Sequence, residues 1–110
     1  MQREDEVRLR HMLDAAREAV SFAKGRTRAD LDRDRMLVLS IVRSVEIIGE
    51  AASKITKESQ AAHPTIPWAV IIGMRNRLIH AYFDVDLDRV WTTVQNDVPS
   101  LIVELEKFVR

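Results

Sequence analysis

Arg75-Asn76-Arg77-Leu78-Ile79-His80-Ala81-Tyr82-Phe83 follows directly on the apolar run Trp68-Ala69-Val70-Ile71-Ile72-Gly73-Met74. Together the two stretches read as one helix. At about 100° per residue, Trp68, Ile71, Ile72, Leu78, Ile79 and Tyr82 share one stripe, with Arg75 in the middle of it. The pattern therefore puts a permanent cation where a leucine is expected. An unpaired guanidinium is costly to bury, so Arg75 needs an anion, a cleft or a ligand.

The flanking sequence extends the helical reading. Three glycines and three prolines punctuate 110 residues, and alternation of β-branched residues is absent. A first helix is expected from about Glu4 to Lys24, with Leu9, Leu13, Ala16, Val20 and Ala23 on its apolar stripe and Gly25 as its stop. A long second helix is expected from Ala29 to Lys57, capped by Thr27 or Asp30. Its apolar arc (Val38, Ile41, Val42, Val45, Ile48, Gly49 and Ala52, flanked by Leu37, Ser44, Ile47 and Ala51) is wide. Such a helix is either central in its bundle or faces a second subunit. Gly49 and Ala52 would let another helix approach closely. Glu46 and Glu50, at the border of the arc, are the candidate anions for Arg75.

Glu58 to Pro67 reads as the main connector, which cannot stay helical through Pro64; Pro67 suits the first turn of the third helix, whose stripe starts at Trp68. After Phe83, Asp84 or Asp86 would cap a fourth helix. Its stripe from Leu87 to Phe108 keeps phase through Pro99, which predicts a kink. The expectation is an all-α chain: an antiparallel up-and-down four-helix bundle, with residues 1–110 as one domain.

Composition narrows the function classes. Lys plus Arg equals Asp plus Glu at 17 each, so no global field draws in nucleic acid; any such site is a local concentration of charge. With no cysteine, disulfides and thiolate metal sites are excluded. His11, His63 and His80 have no metal-ligand spacing, so neither a metal nor a cofactor is expected. No apolar run reaches the roughly 18 residues of a membrane span, and the charged N-terminus is unlike a signal peptide. A cytoplasmic protein without a membrane partner is the default expectation.

The chemistry then falls between residues 75 and 82. His80 is the motif group whose ordinary pKa lies near neutrality. Arg75 offers a planar donor fork that suits a phosphate. Asn76, one helical turn before His80, is placed to orient the imidazole or a substrate oxygen. A base beside a phosphate-binding cation is the minimal equipment for cutting RNA without a metal. On an ideal helix, however, Arg75 and His80 lie about 140° apart. The arginine bends round, the helix loosens before His80, or a second subunit completes the site.

Arg75-Asn76-x-x-x-His80 resembles the Arg-x4–6-His signature of HEPN domains, all-helical folds that include many metal-independent ribonucleases. Gly49-Glu50-Ala51, Pro64-x-Ile66-Pro67-Trp68, Gly73-Met74-Arg75-Asn76-x-x-x-His80-x-Tyr82, Val90-Trp91 and Asp97-Val98-Pro99 together resemble the HepT branch. That resemblance implies an endoribonuclease toxin of a two-gene toxin–antitoxin pair. It implies a homodimer whose two motifs line a shared cleft, and a minimal nucleotidyltransferase of the MntA type as antitoxin. It also implies that Arg75 and His80 form the catalytic pair, that Asn76 supports them, and that Tyr82 accepts AMP from the partner. Two other readings compete: a non-catalytic module that binds a nucleotidyltransferase or its substrate, and a structural bundle in which Arg75 serves only as an ion pair.

Overall fold

The computed structural model describes residues 2–81 and 84–109. Helix α1 (Arg3–Ala23) ends at Gly25, whose φ of +74° is the left-handed backbone that favours glycine. Then follow α2 (Asp30–Arg33), α3 (Arg35–Ser53), α4 (Lys57–Ala62), α5 (Trp68–Ile72) and α6 (Met74–Leu78). A small hairpin of β1 (Ile79–Ala81) and β2 (Asp84–Val85) comes next. The chain closes with α7 (Leu87–Thr92), a π-helical turn (Thr93–Asp97) and α8 (Val98–Glu106).

Helix α3 is the central element. Its buried arc (Leu37, Val38, Ile41, Val42, Val45, Ile48, Gly49, Ala51 and Ala52) packs along α1 and against α5, α6 and α7. The wide apolar face is thus consumed within one chain, and the arc is no argument for a second subunit. Leu9, Met12, Leu13, Ala16 and Ala19 of α1 complete the core from one side; Val90, Val94, Val98, Leu101 and Leu105 complete it from another. Among the described residues, no helix is long and apolar enough to cross a membrane.

The expected long second helix is two, α2 and α3, and α3 stops at Ser53; the short α4 that follows lies in the expected connector. Asp34 leaves the helical backbone at φ −120°, ψ 90°, and its carboxylate accepts from the Leu37 N–H at 3.1 Å, capping α3. At the far end, buried Asp5 accepts from the Thr56 N–H at 3.0 Å and the Thr56 hydroxyl at 2.7 Å, while Thr56 caps α4. Asp5 thus ties the start of α1 to the end of α3, so these two helices run in opposite directions. A carboxylate 51 residues away competes for the backbone donors there, and local periodicity does not register it.

The expected third helix is also overturned. It breaks at Gly73 and stops at Leu78; Ile79 is extended (φ −125°, ψ 113°) and pairs with Val85. Two forces favour the hairpin. It half-buries Ile79 and Val85 against the core, and the Asp86 N–H donates to the Leu78 carbonyl at 2.7 Å. His80 therefore lies on a strand. In the fourth segment the stripe keeps phase, as the spacing predicts. The π-helical turn just before Pro99 absorbs the missing N–H of the proline.

Gly49 sets how closely α5 approaches α3. A Cβ there would sit 3.2 Å from the Ile72 carbonyl oxygen and 3.4 Å from that of Ile71. Gly49→Val should lower stability by about 1–3 kcal/mol in urea titration, because backbone atoms must move to admit the side chain.

Acid should also loosen the fold. The Thr27 backbone N–H and the Arg33 guanidinium bring the Asp30 carboxyl down to about 2, and hydrogen bonds from Ser59 and Thr56 depress Asp5. Carboxyls depressed in the folded chain contribute fully above their ordinary pKa of about 4, and that contribution is lost as pH falls toward 2. The urea midpoint should fall over that window, with a shallower decline in Asp5→Asn.

Candidate functional site

The bend at Gly73 decides where Arg75 points. Met74 and Leu78 of α6 turn into the core at 2% and 0% exposure, whereas the Arg75 side chain is 44% exposed. Arg75 is therefore a rim residue rather than a cation inside an apolar face. Its Nε donates to Glu46 Oε2 at 3.1 Å. Glu50 is directed to Arg43 at 3.8 Å instead, and Arg43 also donates to Glu46. Arg75, Glu46 and Glu50, with Gly49, Ser53, Ile72 and Asn76, line an open groove of about 270 Å³ between α3 and α6.

Asn76 does not orient the imidazole. Its Oδ1 is 3.5 Å from Arg75 Nη1, and the departure of the chain into β1 removes the one-turn relation with His80. Among the described residues, no hydrogen bond or ion pair joins Arg75 or Asn76 to His80. The partner of His80 is Asp86, with Nε2 and Oδ2 3.2 Å apart. Asp86 also caps α7 by accepting from the Arg89 N–H at 3.1 Å. That N–H and then the imidazole hold the Asp86 carboxyl below its usual range, against partial burial. His80 itself is 61% exposed. Tyr82 lies outside the described residues.

In sequence, Asp86 reads only as a helix cap. Its second role depends on the hairpin, which brings a carboxylate six positions downstream back onto the imidazole. Among the described residues, no group of three His, Asp or Glu side chains could hold a metal ion. The half-exposed imidazole–carboxylate pair and the exposed guanidinium are equipped for proton transfer and for binding an anionic oxygen.

The family model for HepT-like ribonucleases matches residues 12–108. The chain belongs to the HepT-like ribonuclease family. A candidate RNase of Caldanaerobacter subterraneus is 39% identical over 102 residues, covering 93% of this chain and 88% of its own. A candidate HepT ribonuclease of Thermococcus cleftensis is 45% identical over 74 residues, 67% of each chain. A candidate RNase of Methanocaldococcus jannaschii is 34% identical over 95 residues, covering 86% of this chain and 87% of its own. No solved structure matches.

In this HepT-like chain the Arg75–Glu46 pair is open to solvent, so its contribution to folding is small. Arg75→Ala should change stability by no more than about 1 kcal/mol in a thermal or urea melt. A buried structural pair would instead cost about 3–5 kcal/mol when broken.

Proposed function

We propose that the protein is a metal-independent endoribonuclease and the toxin of a toxin–antitoxin pair. The carrying observation is its membership of the HepT-like ribonuclease family, together with the solvent-facing placement of both motif side chains, Arg75 and His80. His80 acts as general base, taking the proton of a ribose 2′-OH. The 2′-oxygen forms a bond to phosphorus as the bond to the 5′-oxygen breaks. A protonated imidazole returns a proton to the departing 5′-oxygen, leaving a 2′,3′-cyclic phosphate and a 5′-hydroxyl. Arg75 stabilises the charge that builds on the phosphoryl oxygens, and Asn76 holds the arginine at the groove.

The working form is a homodimer with both motifs on one cleft, so that one copy of His80 serves as base and the other as acid. Met36, Leu39, Val70 and Ile72 are exposed apolar side chains available for such an interface. The antitoxin is a nucleotidyltransferase of the MntA type. It silences the enzyme by transferring AMP to Tyr82, which puts a phosphate beside the cleft and repels RNA.

Purified protein should cut RNA in EDTA and leave cyclic phosphate ends detectable by end-specific ligation. His80→Ala should abolish cleavage with an unchanged melt, and Arg75→Ala should lower kcat about 10²–10³-fold. Intact RNA alongside tight co-purification with a nucleotidyltransferase would replace this reading with that of a non-catalytic binding module.

A further inference from the structure

We propose that Asp86 is the positioning residue of His80, fixing the imidazole as its Nε2–H tautomer so that Nδ1 is the atom that accepts the proton. The inference rests on the ribonuclease reading for its consequence in catalysis, but not for the tautomer itself.

A histidine on a two-stranded hairpin, with a largely exposed side chain, has little packing to hold its ring. The 3.2 Å contact with Asp86 is the restraint the fold supplies. Asp86 in turn is held at both ends. Its backbone N–H is tied to Leu78, a fully buried residue, at 2.7 Å. Its Oδ1 takes the Arg89 N–H at 3.1 Å, leaving Oδ2 toward the ring with Arg89 Nε 3.9 Å away. The carboxylate is therefore the rigid member of the pair and the imidazole is the member being oriented.

An ionised carboxylate accepts hydrogen bonds and donates none. Nε2 must then carry the hydrogen in the neutral ring, which leaves the lone pair on Nδ1. Nδ1 has no partner among the described residues. When Nδ1 takes the proton of a 2′-OH, the ring becomes an imidazolium whose new charge faces Oδ2 of Asp86. The carboxylate is not itself protonated; it stabilises the charged ring and keeps it aimed. One side chain thus starts α7 and sets the base, so the orientation of the catalytic ring is anchored in the helix that follows it.

The test separates capping from orientation. Serine at position 86 can still accept from the Arg89 N–H as a helix cap but is too short to reach the ring. Nitrogen-15 spectra of the wild type at a pH where His80 is neutral should show the Nε2–H tautomer. In Asp86→Ser they should show a mixture, with kcat reduced at least about tenfold, KM little changed and an unshifted melt. Should that variant melt early, Asp86→Asn retains cap and shape, and the same loss of kcat is expected. A wild-type ring in the Nδ1–H form, or a tautomer and kcat untouched by both substitutions, would overturn the proposal. Failure of the wild type to cut RNA would strike the ribonuclease reading alone, since the spectra still decide what Asp86 does to His80.

Discussion

The close approach of α5 to α3 at Gly49 is the constraint on which the groove depends. With no side chain at that position, the carbonyls of Ile71 and Ile72 lie against the α3 backbone. The chain then turns at Gly73 and delivers Arg75 beside Glu46, one turn before Gly49 on α3. A larger residue would push α5 outward, and the arginine would leave the carboxylate that holds it. Core packing and the geometry of the groove are thus set by the same missing atoms.

A second constraint comes from carboxylates that compete with helix continuation. Asp34, Asp5 and Asp86 each capture backbone or side-chain donors where a simple periodic reading expects the helix to go on or merely to begin. Their common chemistry is an ionised acceptor meeting N–H groups that a helix start leaves free. At Asp34 the result is a one-turn helix followed by a new one. At Thr56 it is a tie between distant segments. At Asp86 it is a helix start that also faces an imidazole.

Apolar periodicity alone makes much of this fold legible in the sequence. The α1 stripe, the central α3 arc and the phase of α7 through α8 across Pro99 all lie where spacing puts them. Residues 73–85 were not legible in the same way. A stripe drawn through Gly73 places Arg75 among apolar neighbours, whereas the bend at that glycine turns Met74 inward and Arg75 outward. The hairpin is invisible to a helical template because its stability comes from Ile79 and Val85 meeting the core and from a backbone bond across it. Asp86 was hidden for the same reason. Arg75, Asn76, Glu46 and Glu50 do share one groove, but a resemblance of motifs, rather than periodicity, singled out the arginine and histidine together.

The arginines around α2 have a consequence for any polyanion that approaches. Arg26 pairs with Asp30 and Asp34, Arg28 with Asp32 and Asp88, and Arg33 with Asp30. Cations already neutralised by neighbouring carboxylates displace few sodium or potassium ions from a nucleic acid backbone, so the entropy gained by setting those ions free is small. Complexes formed at such a surface would lose affinity only gently as salt is raised, without a broad electrostatic grip.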